Sequence, residues 1–199
     1  TGSRGALLAA IAGMLVFDFY LARLSPADGA LLRWGRHGAE GDDQAPTIAS
    51  TQGGDLWVGG GFNGDNEIGS SGLPPAPRSQ TAGFVARYSA VDAVPAAVRV
   101  FSGVGAEAVR FISADASGNV FLATTFWGSG DVGGPLVASN GATDILMASY
   151  DREGSHRWSQ AFGGPGYDHP AGLAVASGGD VVLAGSTQGG IDLGGGVFP

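Results

Sequence analysis

Acidic side chains recur at one position of the sequence and are the first candidates for chemistry. Asp43, Glu107 and Asp168 each lie two residues after a glycine. Such carboxylates could form a ring of cation ligands, or each could accept backbone N–H groups within its own turn. Because a catalytic group rarely needs a copy at every occurrence of a motif, we expect turn capping at these three positions.

Other motifs give weaker candidates. Asp65, Asn66 and Glu67 supply oxygen atoms but lack the alternating spacing and central glycine of an EF-hand loop, so they leave only weak Ca²⁺ binding open. The GxGxxG matches that begin at Gly59 and Gly128 are followed by loop residues and not by a helix. The sequence has no GxSxG elbow and no HExxH pair. We therefore predict no catalytic residue, no cofactor-binding residue and no metal ligand.

The elements that must position these residues repeat along the chain. Gly41, Gly105 and Gly166 lie 64 and 61 residues apart, and each begins an ungapped motif of glycine, acid, aliphatic residue and second glycine. Each copy predicts four short strands, with one tight hairpin between the first and second strands and another between the third and fourth. These turns contain glycine, except that the first turn of the second copy carries Val94-Pro95 instead. The predicted organisation is one domain with an apolar segment at 1–17, from a linker or a targeting or anchoring sequence, and repeats at 18–82, 83–143 and 144–199.

Antiparallel four-stranded units at this period predict an all-β fold built of β-propeller blades. Three repeats make a partial propeller, since closed propellers have about four to eight blades, and further blades of the same protein are the expected partners. A β-solenoid is the alternative, although tight hairpins argue against it. We expect the aromatic residues on predicted strands to pack between blades, namely Trp34, Trp57, Phe121 and Trp158.

Composition limits the function further. The chain has 199 residues, with 37 glycines, 10 prolines and 44% hydrophobic residues, so it is rich in turns yet apolar enough to fold. The formal net charge is -8 and no run of Lys or Arg occurs, which excludes nucleic acid as an expected partner. The apolar run from Gly5 to Phe17 is too short to cross a bilayer, so we expect no membrane span within the repeats.

The third copy carries a family resemblance. The segment from Asp144 to Gly196, DILMASYDREGSHRWSQAFGGPGYDHPAGLAVASGGDVVLAGSTQGGIDLGGG, resembles the bacterial SBBP-type β-propeller repeat. The second copy retains FVARY and SGNVFLATTF, and the first is the most divergent. The resemblance implies an exported or surface-associated bacterial protein, located outside the cell or in the cell envelope, with repeated blades and no uniform catalytic activity. It supplies no catalytic residue.

The longer loops suggest where a ligand binds. Because the strands alternate in direction, the loops opposite the tight hairpins share one end of the sheets, here called the long-loop face: Gly35 to Ala45, Gly61 to Gly83, Ser102 to Glu107, Thr125 to Thr143, Gly163 to Pro170, and the chain from Ser186 onward. Loops on a rigid scaffold commonly carry binding residues. The candidate contacts on this face are His37, Asp65, Trp127, Asp131, Asp168 and His169.

These observations together predict a non-enzymatic secreted or cell-surface module that scaffolds or binds protein or glycan through the long-loop face. The alternative is a portion of an extracellular propeller lyase or hydrolase whose site is completed by missing blades.

Overall fold

The computed structural model describes residues 19–37, 44–63, 81–89, 95–101, 105 and 108–199. Over these residues the chain is all-β, with antiparallel sheets of two to four strands and no helix. The predicted apolar segment 1–17 lies outside the described residues. The fold class predicted from the short, apolar, glycine-bounded segments is confirmed at this level.

Twelve of the described strands are four or more residues long and supply the main sheets: β1 Phe19–Leu24, β2 Leu31–His37, β3 Gln44–Ser50, β4 Leu56–Phe62, β5 Ala82–Tyr88, β6 Pro95–Val100, β7 Phe111–Ala114, β8 Val120–Phe126, β11 Asp144–Tyr150, β12 His156–Phe162, β13 Asp168–Val175 and β14 Val181–Thr187. Four two-residue strands form small hairpins: β9 Ser129–Gly130, β10 Val137–Ala138, β15 Ile191–Asp192 and β16 Val197–Phe198.

The main sheets combine strands from consecutive repeats. One four-stranded sheet has the order β3-β4-β5-β6, and the next has the order β7-β8-β11-β12. In each, the first two strands come from one copy of the motif and the last two from the following copy. Two-stranded sheets of β1 with β2 and of β13 with β14 lie on either side in sequence. The sheets are thus offset by two strands from the repeats as the glycine motif delimits them.

Glycine turns close the tight hairpins as the sequence predicts. Gly29, Gly54, Gly118, Gly154 and Gly179 all have positive φ, between 71° and 92°. An L side chain is strained in this region, whereas glycine is not. Four of these turns repeat one backbone pattern, in which the glycine N–H donates to the residue three positions earlier. The sixth predicted hairpin, near Val94, has its turn outside the described residues, but β5 and β6 on either side are paired.

Apolar side chains pack the sheets face to face in chain order. One core cluster joins Trp57 and Val85 of the first four-stranded sheet to Leu122 and Leu146 of the second. Another sets Ile145 and its neighbours in the second sheet against partly buried side chains of β13 and β14. Strands β8 and β11 are buried along their whole length, as expected for middle strands covered on both faces. Each sheet therefore needs its neighbour to exclude water from the apolar side chains on its face.

The aromatic residues expected to pack between sheets do so unequally. Trp57 and Phe121 are buried, and Trp158 packs against Phe121 with ring centroids 6.0 Å apart. Trp34 is the exception, since it is 61% exposed on β2. The prediction is wrong for Trp34 because β1 and β2 form a two-stranded sheet that does not cover this side chain.

Candidate functional site

The structure places the predicted contact residues in different settings. His37 ends β2, and its side chain lies outside what the structure describes. Asp65 also lies outside the described residues. Trp127 directly follows β8, at the long-loop face. Asp168 and His169 begin β13, at the same end of the sheets because β13 and β8 both have a tight hairpin at their other end.

Backbone hydrogen bonds tie three segments of the long-loop face together. The N–H groups of Ala142 and Thr143 donate to the Gly166 carbonyl at 3.2 and 3.3 Å, and the Asp168 N–H donates to the Thr143 carbonyl at 2.7 Å. The Gln188 N–H donates to the Tyr167 carbonyl at 2.9 Å. The loops before β11, before β13 and after β14 are therefore held as one unit.

Two aromatic groups are exposed at this end of the sheets. Tyr167 and His169 stack with ring centroids 6.5 Å apart and an angle of 14° between the planes, and Tyr167 is 55% exposed. Trp127 is 44% exposed, and its indole lies over Gly105, where a Cβ would overlap the ring. Flat aromatic faces of this kind contribute large contact area at low entropic cost.

Asp131 does not share this surface. Its carboxylate accepts a hydrogen bond from the Gly133 N–H at 2.8 Å, which closes a local turn. The following residue, Val132, accepts a hydrogen bond from the buried Tyr150 hydroxyl at 2.6 Å, and Gly134 lies against the His156 ring. Since Tyr150 and His156 flank the β11–β12 turn, the segment after Asp131 runs back along the sheet toward its hairpin end.

Asp168 is buried and caps a turn. One carboxylate oxygen, Oδ2, accepts a hydrogen bond from the Gly164 N–H at 2.8 Å, four residues earlier. This contact supports turn capping over ligand binding. Asp168 is also wholly buried, so of the six candidates only Trp127 and His169 are shown with exposed side chains at the long-loop face.

Asp144, which the sequence reasoning missed, forms a second buried carboxyl group beside Asp168. Its Oδ2 accepts a hydrogen bond from the Asn140 N–H. Burial raises the pKa of Asp144, the Asn140 N–H opposes this, and the nearby Asp168 charge raises the pKa further. The Oδ1 atoms of both residues lack hydrogen-bond partners among the described residues. Both carboxyl groups are wholly buried, so the pair has no exposed surface through which a substrate could reach it.

A sequence signal for the exposed residues exists in the differences between copies. The capping acid recurs as Asp43, Glu107 and Asp168, whereas the position before it holds Asp42, Ala106 and Tyr167. Trp127 likewise aligns with Asn63 and Gln188. In the third copy the retained acid, Asp168, caps a turn, whereas Trp127 and Tyr167 each occur in a single copy. Reading the copies against one another in this way could have identified Tyr167.

Other chemistry finds little support in the part of the chain that the structure describes. There, no three His, Cys, Asp or Glu side chains gather into a group able to hold a metal ion. Nor does any helix in that part offer the length and apolar surface needed to cross a bilayer. The acidic cluster at Asp65 falls outside it.

No protein-family model matches the chain, and no curated protein matches it either.

Proposed function

We propose that the chain is a non-enzymatic repeat module of a bacterial β-propeller, exported or held at the cell envelope, which acts as a scaffold and binds protein or glycan through the long-loop face. The observation that carries this proposal is the exposed Tyr167–His169 stack on loops that hydrogen bonds hold together, with the exposed Trp127 at the same end of the sheets. These three residues lack counterparts of the same type in the other copies, so the repeat itself does not require them.

The packing of the sheets supports the propeller interpretation. Two four-stranded antiparallel meanders follow one another in the chain and stack face to face. Their first strands, β3 and β7, contact each other, and β7 contacts β13 in turn. A succession of sheets with neighbouring first strands is the arrangement of blades around an axis. The resemblance of the third copy to the SBBP-type repeat is consistent with this arrangement.

Of the two ligand classes, glycan is favoured by the exposed aromatic groups. A stacked pair of rings offers a flat apolar surface with polar edges, which fits the alternating C–H and hydroxyl faces of a sugar. The acidic chain, with a formal net charge of -8, disfavours polyanionic ligands. A neutral or amino-bearing oligosaccharide is therefore the expected type.

A glycan array tests the proposal directly. The chain is applied to neutral and acidic oligosaccharides, and the affinity for each retained sugar is then measured by calorimetry. We expect Tyr167→Ala and Trp127→Ala each to weaken binding about tenfold or more, as for central aromatic contacts. Trp34→Ala is the matched control, because it removes a comparably exposed aromatic ring from β2.

Two results would contradict glycan binding at this face. One is a chain retained by no oligosaccharide, which would leave protein as the remaining ligand class. The other is a loss of affinity in Trp34→Ala as large as that in Tyr167→Ala, which would show that binding does not occur at the stacked pair.

A further inference from the structure

Strand β14 has an open edge among the described residues. It pairs with β13 on one side, and no described strand pairs with it on the other. The equivalent strands of the preceding sheets, β4 and β8, are paired on both sides, with β5 and β11 covering the corresponding edge. By its place in the repeat, β14 is a middle strand.

Strand β14 is more exposed than its equivalents, although its residues are similarly apolar. Strands β4 and β8 are almost wholly buried, whereas β14 is mostly exposed. Its sequence, VVLAGST, is as apolar as LWVGGGF in β4 and VFLATTF in β8. The side chains of β14 therefore suit a covered position that the described chain leaves open.

The last strand of each complete sheet shows how this protein protects the edge beyond the covering strand. Strand β6 contains Pro95 and Arg99, and β12 contains His156 and Arg157. Proline and charged side chains discourage the addition of another strand. Strand β14 contains neither a charge nor a proline. An unprotected apolar edge of this type accepts an extended segment by backbone pairing.

We propose that the open edge of β14 is a docking site for a strand of the type of β5 and β11, together with the strand that follows it, supplied by a further copy of the repeat. The two known covering strands define the chemistry of the occupant. Both are apolar in their middle, with alanine at the fifth position and tyrosine at the seventh, as in Ala148 and Tyr150.

The register of the docked strand follows from the two existing examples. Leu56 at the start of β4 pairs with Tyr88, and Val120 at the start of β8 pairs with Tyr150. The same register sets Val181 of β14 opposite the occupant's tyrosine. It sets Val182 opposite the sixth position, which is Ser149 in β11. A shift of one residue would turn every side chain to the other face of the sheet.

This proposal goes beyond ligand binding at the long-loop face and rests on strand pairing alone. A failed glycan screen would leave it intact, and failure of strand docking would not affect the Tyr167–His169 surface.

Binding is tested with a fluorescently labelled peptide that has the sequence of residues 144–162, added to the intact chain. We expect a rise in anisotropy that saturates at one peptide per chain. A peptide with Met147→Pro should bind about tenfold more weakly or worse, because proline removes a donor from the middle of the pairing strand. Because the substitution is in the peptide, it does not alter the folding of the chain to which the peptide binds.

Register is tested by crosslinking, which the absence of native cysteine makes selective. The chain carries Val182→Cys, and the peptide carries either Ser149→Cys or Ala148→Cys. Residues directly opposite in a sheet are close enough for a disulfide, whereas neighbours in sequence point to opposite faces. We expect rapid crosslinking of the Ser149→Cys peptide alone.

Three outcomes would overturn the proposal: no saturable binding, equal binding of the Met147→Pro peptide, or equal crosslinking of the two cysteine peptides. Crosslinking also separates docking on β14 from displacement of β11. A peptide that took the place of β11 would lie against β8, away from the Val182→Cys position.

Discussion

Strands β8 and β14 occupy the same position in successive copies of one motif, yet their surroundings differ. Phe121 of β8 is 5% exposed, and the equivalent Val182 of β14 is 56% exposed. Strand β8 lies between β7 and β11, whereas within the described part of the chain β14 pairs with β13 alone. The comparison shows that burial of a strand in this fold depends on the strands contributed by the next copy as much as on its own residues.

The largest expected difference between the two regions concerns their central leucines. Leu122 is wholly buried in β8, and the equivalent Leu183 is only partly buried in β14. We expect Leu122→Ala to lower the free energy of unfolding by about 2–5 kcal/mol, through lost burial and a residual cavity. Leu183→Ala should cost about 1 kcal/mol, because its side chain is already partly in water. Urea denaturation measures both, and equal losses would contradict the contrast.

A smaller loss of unfolding free energy is expected from a substitution where the second four-stranded sheet meets the segment after β14. Gly163 lies against the Asp144 carboxyl group and exchanges backbone hydrogen bonds with Asp192. Gly163→Ala would force a methyl group into the carboxyl group, at a cost of about 1–3 kcal/mol in the free energy of unfolding.

Gly178 provides the matched control for this substitution. It lies in the β13–β14 turn with open space around its Cα, so Gly178→Ala should leave the urea midpoint unchanged or slightly raised. A larger loss for Gly178→Ala than for Gly163→Ala would refute close packing at the Gly163 position.

The third prediction concerns pH and contrasts the two ends of β11. Asp144 begins the strand and is buried, and burial raises its pKa above 3.8. The folded chain therefore binds this proton more tightly than the unfolded chain does. The associated stability is complete below the unfolded pKa and is lost as pH rises through the folded pKa. We expect Asp144→Asn, which keeps an oxygen for the Asn140 N–H, to remove this loss from a series of urea titrations.

Asp151, just after β11, should behave in the opposite way. Its exposed carboxylate accepts hydrogen bonds from the N–H groups of Ser155 and Glu153, which hold its pKa below 3.8. The stability from Asp151 is present above the unfolded pKa and is lost as pH falls through the folded pKa. Asp151→Asn should therefore alter only the acid side of the profile. If both variants changed the same side, the buried setting of Asp144 would be wrong.

The smallest expected effect lies on the open edge itself. Val182→Thr keeps the shape and the strand preference of the side chain at an exposed site, so the free energy of unfolding should change by no more than about 0.5 kcal/mol. Differential scanning calorimetry of the isolated chain checks this value. A clear destabilisation would mean that another part of the chain already covers β14.

The strands and turns were predictable from the sequence because their signals are local. A glycine just before an apolar run predicts a turn with positive φ, as at Gly118 and Gly179, and the structure confirms these turns. The pairing of strands across copies was not predictable from the same signals. A repeat has no intrinsic starting point, so the motif alone does not say whether β8 pairs forward with β11 or only backward with β7.

The candidate site was predictable only in part. Trp127 and His169 could be located because loop position and residue type both favour exposure. Asp131 could not, because its placement depends on Val132 meeting the Tyr150 hydroxyl, a contact between residues distant in sequence. Asp144 was missed for a related reason. A carboxylate at the start of an apolar strand is expected to face solvent, and the sequence does not show which loop buries it.

The two-strand offset between motif and sheet bears on how such a chain changes its length. A junction between two copies of the motif falls in the middle of a sheet, between β4 and β5 or between β8 and β11. Removing or duplicating one whole copy leaves complementary halves on each side of the join, which can pair in the register already in use. The fold can therefore accommodate the gain or loss of a single copy, because the strands on either side of the new junction still pair with each other.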